Sequence, residues 1–257
     1  MIAAGLLRVV DFQDPRYGRE YLDALAGLLA LDRAAGGEAR GFALTGSAAK
    51  YVAVAMAYDD IFQVADLKTR GSRFARVHRE LGLRPTELVE ITEFMHPRMA
   101  EVLGALPVRL GRALEARPRL LQALDRVVSR GRRVRTGTIG WFLLLYLLGG
   151  LKRFRCATLR HAIEVGHRDA WLARVRAAVM RDYALATELV ETRRLIKGYS
   201  DTHARGQSKF DRVMAAADRL DGRPDAAAWV RRLREAALRD EEGAALDGAI
   251  RTIDSFV

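Results

Sequence analysis

Cysteine is nearly absent from this chain of 257 residues, which contains Cys156 alone. A single cysteine excludes an internal disulfide, a zinc ribbon and an iron–sulfur cluster held by cysteines of this chain. A lone cysteine is most often a small buried hydrophobic residue. Because disulfides are rare in reducing compartments, the scarcity of cysteine predicts a cytoplasmic protein.

Proline and aromatic residues are also scarce, with six prolines and 7% aromatic side chains. Residues that favour helix dominate almost every window of the sequence. Strands do not alternate with helices, so a doubly wound sheet is not expected. The sequence therefore predicts a mainly α, multi-helix globular fold with at most one short N-terminal strand, over residues 6–13.

The length suffices for one large domain or two small ones. We expect residues 1–13 to form a junction with the remnant of a strand and residues 14–220 to form a helical domain. Residues 221–257 are expected to form a C-terminal helix and tail. The clearest single helix is predicted over 169–196, where apolar residues recur at helical spacing.

Long apolar runs and the usual catalytic motifs are missing as well. The longest apolar run, 139–148, is interrupted by Gly140 and is shorter than the roughly 20 residues that span a bilayer. The sequence contains no dinucleotide-binding glycine motif, no P-loop, no nucleophile elbow and no kinase signature. We therefore assign no catalytic residue and expect this chain to bind no cofactor.

The whole chain has a net charge of +11. Acidic residues are scarce only in the middle of the chain. Residues 107–160 contain thirteen lysines and arginines but only Glu115 and Asp125, so the rest of the chain sums to zero. We predict a basic patch around the apolar run, made of Arg130, Arg132, Arg133, Arg135, Lys152, Arg153 and Arg155.

Two interpretations of this basic region stay open. The apolar run is either a short buried helix with solvated arginines at each end, some of them pairing with acids of a partner subunit, or an interfacial segment. In the second case it enters a membrane surface while the arginines bind lipid phosphates. Nucleic-acid binding is not expected, because interleaved aromatic residues and a helix-turn-helix pattern are missing.

A second group of cations lies around Gly198 and Gly206, and it consists of Arg193, Arg194, Lys197, His203 and Arg205. Glycines let backbone N–H groups approach a ligand, and guanidinium groups hold phosphate or carboxylate, so an anion- or partner-binding site is one prediction. The alternative is a helix C-terminus whose carbonyl groups are capped by nearby cations and a glycine.

Two Glu-x-x-His pairs, Glu93 with His96 and Glu164 with His167, have the spacing found in di-iron carboxylate bundles. Pro97 and Gly166 weaken the helices that such a site needs. A metal site is therefore only a weak alternative to capping or exposed residues.

Six segments resemble the helical domain at the C-terminal end of the B (beta) subunit of indolepyruvate oxidoreductase. They are residues 7–17, 55–60, 90–98, 135–142, 153–160 and 194–214. The last is the most specific and reads RLIKGYSDTHARGQSKFDRVM. None of the six is a catalytic motif.

The resemblance implies a mostly helical domain of unassigned function in a thiamine-dependent 2-oxoacid:acceptor oxidoreductase. It implies that thiamine diphosphate and the iron–sulfur clusters lie on a partner subunit and that a gamma-type domain is a second partner. The expected function is that of an accessory, non-catalytic domain mediating subunit association. The alternative is a free-standing helical module that binds an anionic membrane or an acidic partner through residues 107–160.

Overall fold

The computed structural model describes residues 1–84, 87, 89–198 and 201–256, with only the backbone of Val127. These residues form fourteen α-helices and one sheet of two short strands, so the mainly α prediction is confirmed. The chain divides into two compact units. We call Met1–Tyr58 with Val165–Val257 the terminal unit and Asp59–Glu164 the inserted unit, a division that differs from the predicted boundaries after residues 13 and 220.

The terminal unit contains the N-terminal helices and all helices after residue 165. They are α1 (Ile2–Phe12), α2 (Pro15–Ala34), α3 (Ala43–Met56), α10 (Leu159–Val179), α11 (Tyr183–Glu191), α12 (Asp201–Arg219), α13 (Ala226–Arg239) and α14 (Ala244–Asp254). The unit boundary falls inside α10. Helix α3 contacts α1, α2 and α11 and is apolar nearly all round, as a central buried helix must be.

The strand predicted over residues 6–13 is wrong, because this segment belongs to α1. Gly5, Val9 and Phe12 are its buried residues, and that spacing of four and three is helical. The hydroxyl of Tyr21 would lie 2.2 Å from a Cβ at residue 5, so glycine allows α1 to approach α2. The segment therefore buries one helical stripe where a strand would bury alternate residues.

The single helix predicted over 169–196 is interrupted. α10 ends at Val179, and Asp182 begins α11 by accepting a hydrogen bond from the Leu185 backbone N–H at 2.9 Å. An aspartate at this position favours a new helix start over continuation of the old helix, because its side chain satisfies an otherwise free donor.

Asp32 joins three helices of the terminal unit at a fully buried site. Its carboxylate accepts hydrogen bonds from the backbone N–H and the hydroxyl of Thr45, at 2.9 and 2.6 Å, and from the Tyr183 hydroxyl at 2.8 Å. Burial raises the pKa of Tyr183 above its ordinary value. The three donors are neutral groups, and together they fix the orientation of the buried Asp32 side chain.

Gly206 lies inside α12, against the short 3-10 helix Thr192–Leu195. A Cβ at residue 206 would lie 2.5 Å from the Leu195 carbonyl oxygen, closer than van der Waals contact allows. We expect Gly206→Ala to lower the free energy of unfolding by about 1–3 kcal/mol, because the backbones must move apart.

Gly166 in α10 is the matched control, since a Cβ there would meet no atom within 4 Å. Gly166→Ala should raise stability by about 0.5–1 kcal/mol through helix propensity alone. Urea unfolding of both variants checks the pair. Equal stability of the two variants would show that Gly206 is not at a close contact.

The inserted unit contains short helices and the sheet. Its elements are α4 (Ile61–Thr69), α5 (Gly71–Glu80), β1 (Thr92–Met95), α6 (Met99–Gly104), α7 (Val108–Glu115), α8 (Pro118–Val128), β2 (Arg132–Arg135), α9 (Ile139–Gly150) and a 3-10 helix, Leu151–Ala157. The strands β1 and β2 are antiparallel, with Thr92 opposite Arg135 and Met95 opposite Arg132.

A buried ion pair holds the inserted unit together. Arg155 is fully buried, and its Nε and one terminal nitrogen donate to the two carboxylate oxygens of Asp60, at 2.6 and 3.2 Å. Asp60 is 8% exposed and also caps α4 by accepting from the Gln63 backbone N–H at 2.7 Å. The pair therefore links the start of α4 to the 3-10 helix that follows α9.

Candidate functional site

Helix α9 is apolar along all twelve of its residues, yet only one side of it is buried. Leu145 and Gly149 are the buried residues, and α9 contacts α4. At Gly149 the approach is close, since a Cβ there would lie 2.9 Å from the Asp66 Cα. Glycine thus lets the two helix backbones meet along this side.

The other sides of α9 are exposed and continue into the following 3-10 helix. Exposure of these large hydrophobic side chains ranges from 42% at Leu151 to 81% at Ile139. We call the set the apolar surface, and it consists of Ile139, Leu143, Leu144, Tyr146, Leu147, Leu151 and Phe154. Of the two interpretations of 139–148, the fully buried helix is therefore wrong, whereas the interfacial segment stays a prediction.

Aromatic contacts order one edge of the apolar surface. The ring of Phe142 stacks on Tyr146 with a centroid distance of 6.2 Å and also faces Phe74 of α5 at 6.4 Å. These contacts fix the orientation of Tyr146, whose ring is 61% exposed in this unit. A rigid, exposed apolar patch of this kind is typical of an interaction site.

The predicted basic patch flanks α9 but does not act as one surface. Arg155 is buried with Asp60, as described above, and Lys152 lies 3.4 Å from the Asp66 carboxylate. Arg135 pairs with Glu90 at 2.7 Å, with both side chains exposed. These three cations are therefore already neutralised within the inserted unit.

The remaining cations of the patch point to solvent. Arg130 donates to the Arg126 carbonyl oxygen at 3.2 Å, and Arg153 lies over the Phe154 ring at 4.8 Å. Arg132, Arg133 and Arg153 are exposed and form no ion pair with any described residue. Both ends of the apolar surface thus carry free positive charge.

The structure does not bring the residues of the second predicted cation group together at one site. Arg193 is 2% exposed, and one of its terminal nitrogens lies 2.7 Å from Nδ1 of His167. Because a guanidinium can only donate, Nδ1 accepts and the imidazole proton lies on Nε2, which is 3.3 Å from Asp211. Arg193 also lies 5.8 Å from the centre of the Trp171 ring, so it is part of the interior.

Two members of that group line one cleft. Lys197 and Arg205 line a cleft of about 170 Å³ together with Thr202, which lies 3.5 Å from the Arg205 guanidinium. Asp240 and Glu241 line the same cleft. His203 is buried and Arg194 is exposed. Tyr199, which follows Gly198 in the chain, lies outside the described residues.

Residues of the two Glu-x-x-His pairs contact other side chains. Glu93 lies in β1 and forms ion pairs with Lys68 and Arg73, and burial and the nearby Arg73 lower the pKa of Lys68. Glu93 lies in a strand and His96 follows the end of that strand, so the pair lacks the helical geometry that places residues three apart on one side.

The second pair lies on α10, where Glu164 is bound to Arg160 at 2.8 Å and His167 contacts Arg193 and Asp211. Within the ranges that the structure describes, no group of three or more His, Cys, Asp or Glu side chains is placed to hold a metal ion. In the same ranges, no helix has the length and hydropathy needed to cross a membrane.

Comparison with known families gives one match, which covers residues 1–216 and is described as a family of unknown function, DUF6537. Comparisons with curated proteins and with solved structures give no match.

Proposed function

The chain belongs to the DUF6537 family, whose function is unknown, and we propose that it is an accessory, non-catalytic helical domain in a thiamine-dependent 2-oxoacid oxidoreductase complex of the indolepyruvate type. In this proposal the domain mediates subunit association through the apolar surface of α9. Thiamine diphosphate and the iron–sulfur clusters belong to the partner subunit, and the complex is cytoplasmic.

The single observation that carries the association role is the exposure of α9. A helix that is apolar on every side normally has every side covered, whereas α9 has five large side chains more than half exposed. Water contact with such a patch is unfavourable by about 25 cal/mol per Å². A partner that covers the patch removes this cost.

The magnitude of this gain also shows what else the interface needs. Covering the exposed part of each side chain contributes about 1 kcal/mol, so the seven together contribute about 7 kcal/mol. Association costs about 4–15 kcal/mol in lost freedom of motion. The apolar surface alone therefore yields weak binding, and additional polar contacts are required for a stable complex.

The sequence resemblance supports the oxidoreductase assignment. Two of the six resembling segments, 135–142 and 153–160, contain the first and last residues of the apolar surface, Ile139 and Phe154. The first contains the end of β2 and the first turn of α9, and the second begins at Arg153. The segments that resemble indolepyruvate oxidoreductase thus include both ends of the proposed interface.

Co-expression with a thiamine-binding 2-oxoacid oxidoreductase subunit tests the assignment. We expect the two chains to elute together in size-exclusion chromatography, with a tagged copy of this chain retaining the thiamine subunit. An unrelated thiamine-dependent enzyme of similar size is the control partner. Elution of this chain at its own mass in both mixtures would contradict the oxidoreductase assignment.

A second candidate is attachment to an anionic membrane, and the position of the apolar surface between two groups of cations favours it. Sedimentation with phosphatidylcholine vesicles, with and without phosphatidylserine, distinguishes the two roles. We expect the chain to remain in the supernatant in both cases at physiological salt. Sedimentation that requires phosphatidylserine and weakens with added salt would replace the protein partner by a membrane.

A further inference from the structure

The inserted unit has a second exposed region, on the contacting helices α7 and α8, and this region is dominated by arginine. We call it the arginine face, and it consists of Arg109, Arg112, Arg117, Arg119 and Arg126. We propose that the arginine face binds a carboxylate-rich surface of a partner protein. This inference rests on the proposed function, because it names the chemistry of the partner that docks on the inserted unit.

The helical spacing places these guanidinium groups on shared sides of packed helices. Arg109 and Arg112 are three residues apart on α7, and Arg119 and Arg126 are seven residues apart on α8. Both spacings return to the same side of a helix, and the second corresponds to a rise of about 10 Å. Because α7 and α8 contact each other, the two rows lie on neighbouring helices.

The charges on this face are not compensated within the inserted unit. All five arginines are exposed, and none forms an ion pair with a described residue. The acids of the same stretch are Glu115 and Asp125, and the Asp125 carboxylate already accepts a hydrogen bond from Ser129. The inserted unit as a whole contains twenty lysines and arginines against eleven acids, so its net charge is +9.

The terminal unit carries much less excess charge, with 23 lysines and arginines against 21 acids, and several of its exposed arginines are paired. Arg174 pairs with Asp218 and Arg181 with Asp221, each at 2.8 Å, and Arg219 pairs with Asp254. Cations that lack such partners repel one another and attract an anionic surface. The difference between the units therefore points to a role for the unpaired face beyond solubility.

The composition of the face favours a protein over a nucleic acid. Residues 107–135 contain no Phe, Tyr or Trp on which bases could stack. Exposed leucines, Leu110 and Leu120, lie among the arginines. Arginine next to apolar side chains is typical of protein interfaces, where the guanidinium binds carboxylates with two hydrogen bonds.

A second copy of this chain does not fit the face. Two inserted units that met through it would bring a charge of +9 against +9. A partner with a carboxylate-rich surface gains from the same charges and is attracted from a distance, which raises the association rate.

The test uses fluorescently labelled poly-L-glutamate as the carboxylate probe and single-stranded DNA of equal charge as the phosphate probe. The face variant replaces four arginines, Arg109→Gln, Arg112→Gln, Arg119→Gln and Arg126→Gln. The matched control removes four exposed arginines of the terminal unit, Arg16→Gln, Arg19→Gln, Arg33→Gln and Arg176→Gln. Both variants change the net charge equally.

We expect the face variant to weaken poly-L-glutamate binding by about tenfold and the control by less than about twofold, since each exposed charge contact contributes modestly. Equal losses in both variants would overturn the proposal, because they would indicate net charge alone. DNA binding tenfold tighter than poly-L-glutamate binding would also overturn it.

The result of the poly-L-glutamate binding test does not depend on which subunit is the partner. Failure of the co-elution experiment together with a selective loss in the face variant would remove the oxidoreductase assignment and leave the carboxylate-binding face. Intact co-elution with no selective loss in the face variant would remove only the carboxylate-binding face.

Discussion

Asp60→Ala is expected to lower the free energy of unfolding of the inserted unit by about 3–5 kcal/mol, because it leaves the guanidinium of Arg155 buried without its carboxylate. Arg155 is completely buried, so water cannot replace the lost partner. The substitution also removes the side-chain cap of α4, worth about 1 kcal/mol. Together these losses approach the whole stability of a small unit.

Hydrogen exchange of residues 59–164, measured with thermal unfolding, checks this result. Asp218→Ala is the matched control, since it removes an aspartate from the exposed pair with Arg174, where both side chains are about half exposed. The control should cost less than about 1 kcal/mol. Similar effects of the two substitutions would show that the Asp60–Arg155 pair does not hold the unit together.

The second large effect is expected at the apolar surface. Leu143→Asp combined with Leu147→Asp should weaken association with the partner subunit by at least about a hundredfold, because each carboxylate would be buried in an apolar interface without a counter-ion. Both leucines are more than half exposed, so the melting temperature of the free chain should stay nearly unchanged. Binding is measured by titration calorimetry.

Two exposed leucines of the terminal unit provide the matched control. Leu7→Asp with Leu22→Asp adds the same two charges at side chains that are 71% and 39% exposed. We expect this control to bind like the unmodified chain. An equal loss of affinity in the control would indicate a charge effect and exclude α9 as the docking helix.

Composition and spacing predict the helical class of the fold. They do not predict whether each apolar segment forms a helix or a strand, or whether it is buried. In α1 the sequence has adjacent apolar pairs at Leu6–Leu7 and Val9–Val10, which fit a short strand as well as a helix. Contact with α2 and α3 decides the outcome, because Gly5 permits a close approach that a strand would not use. Tertiary packing thus overrides a local ambiguity.

The same limit applies to α9. A run of apolar residues has the same sequence pattern whether it is buried by its own chain or by a partner. The alternatives that the sequence left open, a buried helix or an exposed interfacial segment, differ only in what packs against residues 139–148. Contact with α4 through Leu145 and Gly149 covers one side and leaves the others exposed.

Charged residues were the hardest to place from the sequence. Arg155 and Arg193 belonged to the predicted basic patch and anion site, yet both are buried and bound to Asp60 and His167. Their partners lie 95 and 26 residues away in the chain, so no local spacing could indicate them. One signal was available, since Asp60 directly precedes a helical pattern and reads as a cap.

Hydroxyl-radical footprinting of the assembled complex tests most directly whether a protein partner covers α9. We expect oxidation of Tyr146 and Leu147 to fall sharply on complex formation. Oxidation of Met180, which is 60% exposed in the terminal unit, should stay unchanged as the internal reference. Equal oxidation of Tyr146 and Leu147 in the free chain and in the complex would contradict coverage of α9 by the partner.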